Sequence, residues 1–255
     1  MPVCYLLINV KYVIGQKYIL LDEVDSTNNY AAKLLSEGKM AHGTVILAGK
    51  QTAGRGQRGN SWSAGAGKQF TASIYVETAF LSASRFLYLN LAVSLAVRNA
   101  VAAFSDKIPF IKWPNDILAG DKKMGGILIE AQWQGTQVSG AIIGIGVNLV
   151  REHNLPSSCA LSDFCTECPS PLEFAQEIAL QLQLQFQRLE NQLWNEIGEE
   201  YHRSLWKLNE LMEVETQAGE KITGCITGID GNGNLCFRTE EELKVFGLQE
   251  IKFTY

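Results

Sequence analysis

The sequence predicts an α+β protein: a sizeable domain mixing strands with helices, then a small antiparallel barrel. Length is the first reason, because 255 residues exceed the ~150-residue guide for one domain without requiring two large ones. Composition is the second: 46% apolar residues with only 19% charged, where ~25% is usual, describe a chain with much buried surface. The third is a change of texture near Leu211, where long apolar runs give way to short alternating segments. The boundary falls near Asn209, dividing the chain into 1–209 and 210–255.

Residues 18–21 read as a short buried strand. Ser26 or Thr27 then caps a helix with Tyr30, Ala31, Leu34 and Leu35 at helical spacing, stopped by Gly38. Residues 44–49 are a strand, and 51–68 a polar loop holding five glycines that no periodic pattern claims. A strand at 70–77 leads to a helix over 84–104 whose apolar face carries Leu91, Leu95, Val97 and Val101. A strand ending at Trp113 and a Pro114-Asn115 turn follow. Next come a hairpin over 116–130 turning at Gly120-Asp121, and a strand over 137–148. Ser170-Pro171-Leu172-Glu173 is a capping box with proline at the first helical position. The helix it opens places Ala175, Ile178, Ala179, Leu182, Phe186 and Leu189 on one side, a core stripe rather than a partner-binding one. A further helix runs through Leu193 and Tyr201 to about Lys207. The tail segments MEVET, KITGCITGI, NLCFR, KVFGL and IKF, broken by turns at Gly219-Glu220 and Gly231-Asn232-Gly233-Asn234, describe the barrel.

Net charge is −5, so nothing in the composition resembles the basic footprint of a nucleic-acid binder, and no DNA binding is expected. The opening residues have no basic region before their apolar run, which Lys11 and Lys17 interrupt, so neither a leader nor a membrane span is expected. Six cysteines spread over this length do not make a disulfide framework, and a cytoplasmic protein with reduced thiols is the expectation. His153, Cys159, Cys165 and Cys168 offer half of a zinc ligand set, but a second close-spaced pair is missing.

Four clusters carry chemistry. Gly54-Arg55-Gly56-Gln57-Arg58-Gly59 matches GxGxxG, yet it opens no helix directly and no acid-ended strand follows at dinucleotide-binding distance. The missing GK[ST] excludes a P-loop. It is a flexible loop with two guanidiniums suited to phosphate or carboxylate oxygens. Lys112-Trp113-Pro114-Asn115-Asp116 sets a cation, an aromatic, an amide and a carboxylate at a strand end. In 123–130, Lys123 leads into a strand through Gly125 and Gly126, whose bare backbone admits a ligand. In 144–149, Gly144 and Gly146 clear space beside the amide of Asn148. Together the cations Arg55, Arg58, Lys112 and Lys123 with the single acid Asp116 suit a multiply anionic substrate with a divalent metal.

GRGQRGNSW, KWPNDIL, KMGGILIE and GIGVNL, in this order behind a DSTN turn and ahead of a small barrel, resemble the biotin protein ligases (biotin–[acetyl-CoA-carboxylase] ligases) from about Tyr18 onward. The resemblance implies a mixed sheet flanked by helices, like class II aminoacyl-tRNA synthetases and lipoate ligases, and an SH3-like barrel. It implies that biotin and MgATP give biotinyl-5′-adenylate, from which a lysine of a biotin carboxyl carrier protein takes the acyl group. Carried over by motif, biotin falls to Ser26, Thr27, Asn28, Gln51, Arg55, Gly56, Gln57, Lys123, Gly125 and Gly126. The nucleotide falls to Arg58, Trp62, Lys112, Asn115 and Asn148, with Mg²⁺ on Asp116. Arg55, Lys112 and Lys123 are the catalytic cations.

The chain departs from the family pattern at Gln57, where many members carry arginine, and near Asn60 and Ser61, so its loop holds less positive charge. Some members bear an N-terminal winged helix and act as repressors. Only about seventeen residues precede the first catalytic strand here, so no repressor role is expected. A homodimer is compatible with the resemblance. The rival readings are a lipoate ligase and a non-catalytic sensor, and the intact cation set favours catalysis over sensing.

Overall fold

A computed structural model describes residues 13–62, 69–135, 137–151 and 157–253. Seven strands form one mixed sheet: β1 (Lys17–Leu21), β2 (Thr44–Ala48), β3 (Gln69–Glu77), β4 (Phe110–Lys112), β5 (Asp116–Ala119), β6 (Lys122–Gln134) and β7 (Gln137–Asn148). Their order is β1-β2-β3-β7-β6-β5-β4; β1 runs parallel to β2 and every other pair is antiparallel. The helices are α1 (Thr27–Ser36), α2 (Phe86–Ala102), α3 (Pro171–Glu190) and α4 (Trp194–Arg203).

The two-residue period of the strands decides what covers each face. Phe70, Ala72, Ile74 and Val76 of β3 and Ala141, Ile143, Ile145 and Val147 of β7 point into the main core with α2 and α3. Tyr75 and Ile142 point the other way and pack with Ala31 of α1 and Ile46. Sheet and helices therefore make three layers, and α1 covers only part of its face.

The α3 start is built as expected. The Glu173 N–H donates to Ser170 Oγ at 3.3 Å and the Ser170 N–H to Glu173 Oε2 at 2.8 Å, and all six apolar residues of its predicted stripe are buried. At α1, Ser26 occupies the cap position but its hydroxyl makes no capping bond. The helix expected to reach Lys207 ends at Arg203. There the chain turns to pair with β4, the Ile111 N–H donating to Ser204 O and the Trp206 N–H to Ile111 O.

The C-terminal strands β8 (Leu211–Thr216), β9 (Lys221–Ile229), β10 (Leu235–Arg238), β11 (Leu243–Phe246) and β12 (Ile251–Phe253) form an antiparallel sheet ordered β11-β10-β9-β8-β12. It is compatible with the SH3-like expectation but open, because β11 and β12 remain its two edges rather than closing a barrel. Val214, Ile226, Leu235, Phe237 and Ile251 join the main core. Two indoles hold the sheet: Trp113 Nε1 donates to Gly233 O at 2.9 Å, and Trp206, whose Nε1 donates to Asp121 Oδ1 at 3.0 Å, meets Phe253 of β12 edge-on. Among the described residues no helix is long and apolar enough to cross a membrane.

His42 lies under this fold. Its Nδ1 accepts the Glu77 N–H at 3.0 Å, its ring meets Phe186 edge-on, and burial pulls its pKa down to about 4. The unfolded chain takes up this proton near pH ~6.5 and the folded one only near pH 4, so stability falls as pH drops through that window. His42→Gln keeps an acceptor without titrating there. Urea midpoints should fall less steeply between pH 7 and 4.5 in the variant than in the wild type, and parallel curves would contradict the assignment.

Candidate active site

Strand register assembles the site. Directly opposed residues share a face, so Thr71, Gly146, Gly126, Asp116 and Lys112 form one row across β3, β7, β6, β5 and β4. The next row is Ser73, Gly144 and Leu128, and the third Tyr75, Ile142 and Glu130. Both partners from β7 in the first two rows are glycines, and β6 adds Gly126. This bare strip floors a cavity of about 590 Å³ walled by the start of α1, the 51–62 loop and the C-terminal residues 248–253.

The glycines are occupied by other residues of the chain. A Cβ on Gly144 would sit 2.4 Å from Asn28 Oδ1, and one on Gly146 2.3 Å from the Trp62 ring. The space expected beside the Asn148 amide is instead partly filled by Asn28 and Trp62.

One end of the cavity is polar and almost uncharged. Ser26, Thr27 and Asn28 are only 2–3% exposed. The Thr27 N–H and hydroxyl both reach Gln51 Oε1, at 2.7 and 3.0 Å. Ser73, fully buried, lies 2.7 Å from Thr27 Oγ1 and donates to Asn28 Oδ1. Asn28 Nδ2 in turn donates to Glu130 Oε2 at 2.7 Å. Since Ser26 does not cap α1, its hydroxyl remains for a ligand at this end.

The other end is charged. Lys123 Nζ lies 2.7 Å from Asp116 Oδ1 and 5.8 Å from the Trp62 ring centre. Lys112 Nζ sits over two aromatic rings, Phe253 at 5.0 Å and Trp206 at 5.8 Å. Burial lowers its pKa, Asp116 opposes the shift, and Lys123 adds to it. Asn115 lines the cavity, but its Nδ2 is given to Ile127 O at 2.6 Å, closing the β5–β6 junction.

Several residues are not where motif reasoning puts them. Arg55 does not stand free at the charged end: Nη2 pairs with Glu130 Oε1 at 2.6 Å and Nη1 donates to Asn29 Oδ1 at 2.7 Å, both beside α1. Gly125 faces the core, where an added Cβ would meet Gly146 O at 2.9 Å. Asn148 lies off the cavity wall and donates to Cys159 O at 3.1 Å, tying down the 157–160 segment. Gly56 and Gln57 line the cavity. The Arg58 side chain, His153 and the end of the glycine loop at 63–68 lie outside the described residues. Cys159 and Cys168 direct their thiols at the Lys122 and Leu149 carbonyls.

Sequence reasoning missed Ser73, Glu130, Asn29 and the C-terminal wall. Glu130 was legible in principle, since it lies four residues after Gly126 and a strand repeats every two. Nothing in the sequence placed Phe253 against Lys112.

A profile of the biotin/lipoate A/B protein ligase family matches residues 20–148. The chain belongs to this family. It is similar to the biotin–[acetyl-CoA-carboxylase] ligase of Paracoccus denitrificans, 30% identical over 92% of this chain and 99% of that one. The enzyme of the same name from Mycobacterium tuberculosis is 29% identical over 87% and 84%. Among solved structures, the Aquifex aeolicus biotin protein ligase in complex with biotin and ATP superposes with a TM-score of 0.76, at 25% identity over 94% of this chain and 99% of that one. In this family member the mixed sheet and its helices agree with that architecture, C-terminal sheet included.

Gly146→Ala should drive Trp62 off the sheet, because the contact is with a rigid ring at 2.3 Å. With 5-fluorotryptophan at all five positions, one ¹⁹F resonance should move to the solvent-exposed range. Five unmoved resonances would mean that the glycine does not seat the indole.

Proposed function

We propose that the chain is a biotin protein ligase. It joins biotin to ATP as biotinyl-5′-adenylate, then passes the acyl group to a lysine of a biotin carboxyl carrier protein of acetyl-CoA carboxylase or a similar enzyme. The observation that carries this reading is the two-ended cavity. The hydroxyls and amides of Ser26, Thr27 and Asn28 suit a ureido group, which has N–H donors and a carbonyl acceptor. Lipoate's dithiolane ring has neither, and would leave these buried groups unpaired at a cost of about 1–3 kcal/mol each. The similarity to a biotin–[acetyl-CoA-carboxylase] ligase and to a biotin- and ATP-bound biotin protein ligase supports the same choice.

In the first step a biotin carboxylate oxygen attacks the α-phosphorus of ATP and pyrophosphate leaves with the broken bond's electrons. Two anions must approach, so the residues contribute position and charge rather than a covalent intermediate. Lys123 is placed to neutralise the reacting oxygens and Lys112 the phosphates. Trp62, on Gly146 beside Lys123, offers a face for the adenine. Magnesium belongs to the substrate as MgATP. Asp116 offers it one hard oxygen, and among the described residues no three-member ligand cluster adds more. That donor set suits an ion whose other ligands are phosphates and water. In the second step the neutral amine of the carrier lysine attacks the acyl carbon and AMP leaves.

Labelled biotin, MgATP and a carrier domain should yield biotin on the carrier lysine, with little transfer of lipoate; preferential lipoate transfer, or none of either, would sink the reading. Lys123→Ala should slow adenylate formation at least about tenfold, since a charge-assisted bond is worth roughly 1.5–3 kcal/mol. An unchanged single-turnover rate would remove it from the chemistry. Asp116→Asn should raise the Mg²⁺ requirement more than the biotin requirement, and superimposed magnesium titrations would refute the metal role.

A further inference from the structure

Glu130 belongs to none of the roles above, yet three donors converge on it. Asn28 Nδ2 gives to Oε2 at 2.7 Å, Arg55 Nη2 to Oε1 at 2.6 Å, and Arg55 Nη1 approaches Oε2 at 3.5 Å. An exposed ion pair alone would be worth little, but this one closes a circuit. From the base of the loop, Gln51 binds Thr27, Thr27 meets Ser73, Ser73 holds Asn28, Asn28 holds Glu130, and Glu130 returns to the loop at Arg55.

Beyond Gln51 the loop forms a small hairpin, with the Trp62 N–H donating to Gly54 O at 2.8 Å and the Gly56 N–H to Asn60 O at 2.7 Å, and Arg55 lies on its first arm. It has its own shape, and what it needs from the body is a fixed position. Gln51 fixes its base and Arg55 the part farther out. The Asn28 amide has a matching need: with Ser73 on its oxygen and Glu130 on its nitrogen it cannot flip, so one donor and one acceptor direction face the cavity.

We infer that Glu130 is a positioning residue, fixing the Asn28 amide and anchoring the 51–62 loop through Arg55, so that recognition of the ligand's polar ring and closure of the loop are coupled. The inference rests on the reading that this end takes a ureido ring. Arg55 accordingly serves geometry more than charge, because Glu130 already neutralises it.

Glu130→Gln keeps the shape and an acceptor for Asn28 while removing the ion pair. In the ligand-free full chain, hydrogen exchange at the Gly56 and Trp62 amides should quicken at least about tenfold while α3 amides stay as in the wild type. Unchanged loop exchange, or faster exchange everywhere, would overturn the anchor. In stopped-flow binding, biotin should leave the variant about tenfold faster, a loss of about 1.4 kcal/mol. The same substitution made on an Arg55→Met background should add less than about twofold; full additivity would contradict coupling through Arg55. A wild-type chain that binds no biotin would refute the ligase reading, while the exchange measurement would still decide the anchor.

Discussion

The β6–β7 pair can carry two large side chains and a ligand against its backbone only because Gly126, Gly144 and Gly146 fall on one face. Strand alternation sends every bulky neighbour, from Ile143 to Val147, to the opposite face and into the core. The same few residues therefore build the most buried part of the fold and the emptiest part of its surface. Asn28 and Trp62 take up part of that space, and each is set by a clearance that no side chain at the glycine would leave. The cavity is a consequence of register, so a one-residue slip would fill it with isoleucine and valine.

Charge is arranged as economically as space. Of the four cations expected in the pocket, the three whose side chains are described make two ion pairs, Arg55–Glu130 and Lys123–Asp116, and a lysine laid over Phe253 and Trp206. An anionic ligand must therefore exchange partners with Asp116, which also favours a cation to replace the lysine it loses. In the proposed reaction, magnesium arriving with ATP would supply one. The C-terminal sheet is part of this arrangement, because its last strand provides the ring that holds Lys112 and its edge loop a wall of the cavity.

Local chemistry was the legible part of the sequence. The capping box at Ser170, the hairpin turn at Gly120-Asp121 and the glycine clusters are decided by neighbours a few residues apart, and the structure has them in place. What stayed hidden depends on register and distance. Gly125 and Gly126 are adjacent letters on opposite faces, and only pairing with β7 tells which one meets the cavity. Arg55 reads as a ligand for phosphate or carboxylate oxygens until its partner Glu130, 75 residues on, is known. The tail reads as a barrel because short alternating strands suit both closed and open sheets, and only the pairing, which leaves β11 and β12 as edges, tells them apart.

In the proposed reaction one cavity brings biotin's carboxylate to the α-phosphate of ATP. Pyrophosphate release by the purified chain with biotin and MgATP, in the absence of any carrier protein, tests it most directly. A rapid, biotin-dependent release followed by much slower turnover, as the adenylate stays bound, is the expected result. Pyrophosphate release no faster than with ATP alone would contradict it.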